Sequence, residues 1–413
     1  MFGSSNSSHA EDRNIKDDEG VIERFIPVAV EDLVDVLVAS EQMHGQESRT
    51  FARVCEMFVA VYHARYHRNL LKLKRAYHLF SPDRDTVVVE ADSDLDREKL
   101  LQQVKKELNY ILERANFEKL SIDEINAALN QKSPYGVEVQ VDLDEFEEIA
   151  LYYRGQGIRT IERRTWQSAF LRKESIDVPL YRRLFVVLKP KPLEETSAEL
   201  AVMDANNLYL KIFKNIPHYD LEMLFPNTRV KMTLFDKIKL SITGGGGTIG
   251  GLLTAWGKIT VAIAKGPFAV LMVIGMFGGV LWRQIYKIIF HRTKYMAELT
   301  KNLYFYNINN NMGAIAQIVD MAEGEEFKEA VLAYYFLYIH KDREYTAERL
   351  DKEIEDYLAE KYKVRIDFEV SDGLRKLDEC GLLTQNSEGV LGVVDLDEAL
   401  RILNEVWDNL YNV

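Results

Sequence analysis

The sequence predicts an α+β protein, with a helical N-terminal region plus a mixed sheet, a two-helix membrane hairpin and a winged-helix-like C-terminal domain. Amphipathic helical patterns dominate up to about residue 129, strand-length runs extend from there to 242, and an apolar, glycine-rich block occupies 244–282. These changes of pattern predict five segments: a disordered tail at 1–20, an α+β soluble domain at 21–242, a glycine-rich transmembrane hairpin at 243–283, a basic amphipathic connector at 284–322 and an acidic winged-helix-like domain at 323–413.

Composition limits the function classes. The chain has 413 residues, of which 47% are hydrophobic and 28% charged, as in an ordinary folded protein. A net charge of −13 argues against a nucleic-acid partner, because phosphate binding needs a basic surface. The two cysteines, Cys55 and Cys380, have no partner at metal-site or redox spacing, which predicts a reducing compartment. The first residues lack the features of a secretory signal or a transit peptide.

The first half of the chain predicts helices followed by strands. Val30, Leu33, Val34 and Leu37 share one helical face. Five runs have strand character: "VEVQVDL", "GIRTIERRTW", "LYRRLFVVLKP", "NLYLKIFKN" and "RVKMTLFDKIKL". The intervening "DLDEFEEIALYYRG" predicts a helix that ends at a capping Gly155. The region is therefore expected to form a mixed sheet with a few helices packed on it.

The glycine cluster at 244–251 formally matches a dinucleotide-binding fingerprint. That fingerprint needs an acidic residue about 20 positions further on, and no acid lies between Ile238 and Arg292. A phosphate-binding P-loop needs Ser or Thr directly after its Gly-Lys pair, and Gly257-Lys258 is followed by isoleucine. The sequence therefore predicts no nucleotide and no other cofactor.

The same block favours a membrane hairpin. "KGP" separates the apolar segments Gly247–Ala264 and Pro267–Trp282, each about 25 Å long as a helix against a hydrocarbon core of about 30 Å. Basic residues on both flanks predict that both termini lie on the inner side, as in a bacterial inner (plasma) membrane protein with cytoplasmic domains. Two pairs of glycines four residues apart, Gly247 with Gly251 and Gly275 with Gly279, would allow close helix packing. The alternative is a buried hairpin in a soluble protein.

Two stretches carry a family resemblance. "FPNTRVKMTLFDKIKLSITGGGGTIGG" and "LYFYNINNNMGAIAQIVDMAEGEEF" resemble the uncharacterised family that contains animal transmembrane protein 143. The resemblance extends from Ile22 to the end and is sharpest from Leu208 to Tyr338. It implies a membrane hairpin protein with a domain of unknown function, and it carries over no catalytic residue. The N-terminus differs from that of the animal protein, which suggests a bacterial-type member.

Clustered arginines are the candidate contact residues. Guanidinium groups match phosphate oxygens, and basic surfaces attract anionic lipids. The residues predicted to contact an anionic lipid or a phosphate are Arg154, Arg159, Arg163, Arg164, Arg182 and Arg183. The alternative is an outward strand face that pairs with nearby acids.

Two other patterns favour structural roles. His63 and His67 are one helical turn apart and could share a metal ion, but the helical zinc-protease motif needs Glu where Ala64 stands. Arg65 and Arg68 would also repel a cation, so the sequence predicts a solvated basic face and no metal site. The amide-rich run at 304–313 predicts a turn between two helices, with a binding role for its asparagines as the alternative.

The C-terminal segment predicts helices, a hairpin and a closing helix, with Thr346 as an N-cap. Residues 323–413 contain 11 Lys and Arg against 23 Asp and Glu, a net charge of −12, which favours protein docking or dimerisation over DNA binding.

The leading function prediction is a membrane-anchored interaction or regulatory scaffold rather than an enzyme. Its expected partners are the lipid bilayer, including anionic lipids, and a protein partner or a second copy of the chain. One alternative is a membrane-associated enzyme that acts on a lipid or a phosphate-bearing substrate. Another is a soluble assembly protein with a buried glycine-rich hairpin.

Overall fold

The structure is a computed structural model that describes residues 15–16, 22–86, 94–129, 138–164, 173–192, 194, 200–231, 286, 303–387 and 389–410. The chain divides into two compact units. The first unit comprises Met1–Ser121, Asp144–His218 and Asn307–Val413, and the second comprises Ile122–Leu143 and Tyr219–Tyr306.

Helices and strands alternate irregularly along the chain. The helices are α1 (Val30–Val38), α2 (Gln46–Tyr77), α3 (Asp94–Arg114), α4 (Ile122–Leu129), α5 (Asn311–Ile339), α6 (Ala347–Tyr362), α7 (Val370–Glu379) and α8 (Leu396–Asn409). The strands are β1 (Ile15–Lys16), β2 (Glu118–Lys119), β3 (Glu138–Gln140), β4 (Phe146–Arg164), β5 (Lys173–Pro190), β6 (Tyr209–Pro217), β7 (Arg229–Lys231), β8 (Asn307–Asn310), β9 (Leu383–Gln385) and β10 (Leu391–Val393). Helix α4 and the β3–β7 pair belong to the second unit, and the other elements belong to the first.

The long helices α2 and α5 form the core of the first unit. Their aromatic side chains meet edge to face or tilted, with ring centroids 5.7 Å apart for Phe51 and Tyr335 and 6.2 Å apart for Phe58 and Tyr334. Every residue from 325 to 337 is buried, so α5 is enclosed on all its faces over more than three turns. Helices α3, α7 and α8 pack around this pair.

The sheet of the first unit is antiparallel rather than mixed. Its order is β1-β4-β5-β6-β8, and β2 pairs with β4. Strands β4 and β5 form a long hairpin that pairs from Phe146 opposite Pro190 to Arg164 opposite Lys173, with a register shift between Phe146 and Glu148. The sheet thereby brings Arg154, in the middle of β4, against helix α5.

The prediction of a helix ending at Gly155 is wrong, because those residues form the first half of β4. Ala150, Leu151 and Tyr152 are consecutive and all buried, so the strand is covered on both faces. Such a strand reads as a continuous apolar run, which periodicity does not separate from a helix. Gly155 has φ +73° and lies between the paired residues Arg154 and Gln156 of the ladder.

The predicted turn at 304–313 contains an edge strand, β8, and the first residues of α5. Asn311 joins three elements there: its side-chain oxygen accepts from the Leu210 N–H at 3.0 Å, and its Nδ2 donates to Asp83 at 2.7 Å. The hydroxyl of Tyr77, at the end of α2, lies 3.2 Å from the same Asn311 oxygen and 2.7 Å from the Leu208 carbonyl, to which it can donate. The buried Asn311 amide therefore supports the junction of α2, β6 and α5.

The predicted fold class is wrong in its membrane hairpin. Over the residues that the structure describes, no helix combines the length and the apolar character that crossing a membrane requires. The longest helices, α2 and α5, both contain charged residues along their length. This finding overturns the predicted hairpin and the predicted inner-membrane location. The block at 243–283, with Gly247, Gly251, Gly275 and Gly279, lies outside the described residues.

Gly155 provides a test of the β4 geometry. A Cβ at this position would lie 2.7 Å from the Phe25 ring and 3.0 Å from the Arg182 side chain, at a positive φ. Gly45, before α2, also has a positive φ of 58°, but an added Cβ there meets nothing within 4 Å. Both substitutions to alanine strain the backbone, and only Gly155→Ala adds a clash. We expect Gly155→Ala to lower the free energy of unfolding by about 1–3 kcal/mol more than Gly45→Ala in urea denaturation. Equal losses would contradict the described packing.

Candidate functional site

Helix α5 carries four charged residues in one buried turn, Glu325, Glu326, Lys328 and Glu329. Burying an ion is costly unless an opposite charge and hydrogen bonds replace water. We call these four residues and the charged side chains that contact them the α5 charge cluster. The contacting side chains are Arg114, Arg154, Arg375 and Lys376, and Asp372 joins the cluster through its ion pairs with Arg114 and Arg375.

The inner half of the α5 charge cluster surrounds Glu325. Its carboxylate accepts from Arg154 and from Lys328, each at 2.6 Å, and from the Ile26 backbone N–H at 3.0 Å. The Lys328 ammonium also donates to the carbonyls of Ile26 and Val28. The segment before α1 is thereby fastened to α5 through its backbone.

Arg154 remains charged although it is buried. Burial lowers the pKa of Arg154 and of Lys328, and Glu325 opposes the shift in both. A guanidinium does not lose its proton in proteins. The Arg154 guanidinium also lies 4.4 Å from the centre of the Phe25 ring, which adds a cation–π contact.

The outer half of the α5 charge cluster joins α5 to α7 and α3. Lys376, only 1% exposed, donates to Glu329 and lies 3.2 Å from Glu326. Arg114 lies 3.2 Å from Glu326 and 3.1 Å from Asp372. Burial raises the pKa of Glu329, and the neighbouring Lys376 opposes that rise. The outer half reaches the surface through Arg114 and Asp372, whose side chains are 23% and 35% exposed.

Three carboxylates in this outer half are close enough to hold a metal ion. Oxygens of Glu326, Glu329 and Asp372 lie within 4.8 Å of one another. However, Lys376 and Arg114 already contact all three carboxylates. A metal ion would have to displace these cations from positions that they fill with direct hydrogen bonds. The arrangement therefore fits an internal salt-bridge network better than a metal centre.

The structure places four of the predicted arginines around the middle of the β4–β5 hairpin. Arg154 and Arg159 are buried. Arg182 donates to the Gln156 carbonyl at 2.8 Å, and Arg183 donates to the Arg182 carbonyl at 3.0 Å. Only Arg154 enters the α5 charge cluster.

The remaining two arginines lie at the far end of the hairpin. In the register of β4 and β5, Arg163 is opposite Glu174 and Arg164 is opposite Lys173. Contact of the six arginines with an anionic lipid or a phosphate stays a prediction.

Sequence reasoning missed the charged residues of α5. The run "EGEEFKEA" precedes an apolar stretch and resembles the solvated start of an amphipathic helix. A signal was present, because residues 330–337 are apolar at every position of the helix wheel and predict a fully enclosed helix. Charges one turn before such a stretch are expected to be buried and paired.

A domain of unknown function includes four of the six strands of this sheet, β4, β5, β6 and β8. Residues 146–313 match the family described as Protein of unknown function (DUF3754). The match begins at β4 and ends within the first turn of α5, so it includes Arg154 but not Glu325 or Lys376. No solved structure matches the chain. The predicted family resemblance is confirmed only as far as a domain of unknown function, and nothing links the chain to transmembrane protein 143.

The α5 charge cluster predicts strong coupling between Lys376 and Glu329. Lys376→Met leaves two buried carboxylates without their main cation, and we expect it to lower the free energy of unfolding by about 3–5 kcal/mol. Adding Glu329→Gln should restore part of that loss, which urea denaturation of the single and double variants measures. The control is Arg401→Met on α8, whose ion pairs with Glu398 and Glu405 are exposed, and it should change stability little. Additive effects of the two cluster substitutions would show that the pair is not coupled.

Proposed function

We propose that the chain is a non-catalytic interaction protein whose acidic C-terminal segment binds a basic protein partner. The observation that carries this proposal is the charge imbalance of residues 323–413, with 11 basic against 23 acidic residues. The DUF3754 match supports no specific activity. The proposal therefore rests on the surface that the C-terminal helices present.

The acidic excess lies mainly on side chains that face solvent. In the described part of this segment the buried charged residues are three acids and two lysines, so burial hides almost none of the excess. Several basic side chains are also neutralised by the segment's own acids: Lys341 pairs with Asp395, Arg343 with Glu353 and Arg401 with Glu398. Exposed acids outside these pairs include Asp356, Glu360, Asp378 and Asp397.

Helices α6, α7 and α8 offer suitable chemistry for a Lys- or Arg-rich segment. A surface of one sign attracts an opposite charge over several ångströms, speeds association and makes binding sensitive to salt. Trp407 on α8 is 43% exposed, and its ring can accept a cation–π contact from an incoming Arg or Lys. Aromatic and arginine contacts dominate binding energy at many interfaces.

The proposal is tested on the full chain with a fluorescein-labelled peptide of alternating Arg and Ala residues. Fluorescence anisotropy measures binding of this peptide at physiological ionic strength. The test variant neutralises four exposed C-terminal acids: Asp356→Asn, Glu360→Gln, Asp378→Asn and Asp397→Asn. The control variant removes the same charge from exposed acids in and after α1: Glu31→Gln, Asp32→Asn, Asp35→Asn and Glu41→Gln.

We expect the test variant to bind the peptide about tenfold more weakly or worse, because exposed ion pairs contribute about 0.2–1 kcal/mol each. The control variant should retain most of its affinity. If both variants lose affinity equally, the peptide responds to net charge alone and the C-terminal surface is not the binding site. Failure of the unmodified chain to bind would also refute the proposal.

A further inference from the structure

We propose that His63 and His67 on α2 bind a divalent transition-metal ion, and that Glu323 on α5 is a positioning residue for His63. This site is separate from the α5 charge cluster and goes beyond the proposed protein interaction. Three observations carry it: the geometry of the two rings, the hydrogen bond to Glu323, and the positions of the two neighbouring arginines.

The two imidazoles are placed to share an ion. They are one helical turn apart, so both lie on the same face of α2. Their ring centroids are 6.2 Å apart with planes inclined by 30°, and both side chains are exposed. Histidines at this spacing on one helix are an established way to bind zinc, with metal–nitrogen distances of about 2.0–2.1 Å. The rings are stacked in this structure, and because both are exposed they can turn about their side-chain bonds to direct one nitrogen each at a shared ion.

Glu323 orients the first imidazole. Its carboxylate oxygens lie 3.2 and 3.3 Å from Nδ1 of His63. The His63 side chain is 69% exposed and the Glu323 side chain only 21%, so the carboxylate is the more fixed partner. A carboxylate that accepts from Nδ1–H leaves the lone pair on Nε2, directed away from the carboxylate. This carboxylate–histidine–metal arrangement is common in metal sites, where it fixes the tautomer and makes the ligand more basic.

The local charge also suits a cation. Asp320 is exposed one turn earlier on α5, and its charge acts on Glu323. The two carboxylates therefore favour additional positive charge beside His63.

The neighbouring arginines do not block the site. The Arg68 guanidinium donates to the Leu410 carbonyl at 2.8 Å, at the end of α8. Arg65 lies 5.8 Å from the centre of the Tyr62 ring and also interacts with Cys380. Both side chains therefore make their contacts with other parts of the first unit.

The ligand class follows from the donor atoms. Imidazole nitrogens suit Zn²⁺, Ni²⁺ and Cu²⁺, whereas Mg²⁺ and Ca²⁺ prefer oxygen ligands. Two protein nitrogens leave coordination positions for water or for a group from outside the chain. We therefore assign the site to a divalent first-row transition-metal ion and exclude Mg²⁺ and Ca²⁺.

Isothermal titration of the full chain with Zn²⁺, and separately with Mg²⁺, tests the assignment in a non-chelating buffer. We expect saturable one-to-one binding of Zn²⁺ that is lost in His63→Gln and in His67→Gln. His44→Gln, a change at another exposed histidine, should keep the affinity. Unchanged Zn²⁺ binding in the two His variants, or no saturable binding by the unmodified chain, would overturn the proposal.

The role of Glu323 has its own readout. Glu323→Ala should weaken Zn²⁺ binding by about 10–100-fold, as for other groups that orient a ligand. Glu323→Gln should restore part of the affinity, because its amide oxygen still accepts from Nδ1–H. Without metal, ¹⁵N chemical shifts of His63 should show the Nδ1–H tautomer in the unmodified chain and less of it in Glu323→Ala. If Glu323→Ala changes neither the tautomer nor the affinity, the positioning role is refuted.

Discussion

Each ion buried on α5 requires an opposite charge inside the protein, and this requirement determines which segments meet there. Glu325 and Lys328 hold the segment before α1 and the middle of β4. Glu326 and Glu329 hold α7 through Lys376 and α3 through Arg114. The partners come from four separate parts of the sequence, so α5 joins the helices and the sheet of the first unit.

Buried ion pairs are weak evidence for stability as such, since well-packed apolar groups can replace them with little loss. We infer that in this protein they act on the specificity of packing. A buried carboxylate with one correct set of donors disfavours any other packing of α3, α7 and β4 against α5. The α5 charge cluster inside the first unit, where each buried charge has a partner of opposite sign, therefore differs from the C-terminal surface, where acidic residues are in excess. Partners and metal ions are therefore expected to bind at the surface rather than within the α5 charge cluster.

Local features could be predicted from the sequence, and contacts between distant residues could not. Leu33 and Leu37 are buried on the face that their spacing predicts, and the Thr346 hydroxyl caps α6 by accepting from the Arg349 N–H. The pattern predicts a helix for the first half of β4, which is buried on both faces, and a strand for the second half, which is what the structure shows. Arg154 and Glu325 are 171 residues apart, so no local pattern indicates that they pair. The membrane prediction depends on the apolarity of one block, residues 243–283, whose two segments are each shorter as helices than the hydrocarbon core of a membrane.

Hydrogen exchange of the segment before α1 tests the central claim most directly. Ile26 lies outside the helices and strands, and its backbone N–H donates to the buried side-chain carboxylate of Glu325. If the α5 charge cluster fastens this segment, mass spectrometry should show slow exchange in the peptide that contains Ile26, close to the rate of the α5 peptide 330–337. Glu325→Gln should accelerate exchange of the first peptide far more than that of the second. Exchange of the Ile26 peptide at the rate of an exposed chain, in the unmodified protein, would contradict the account.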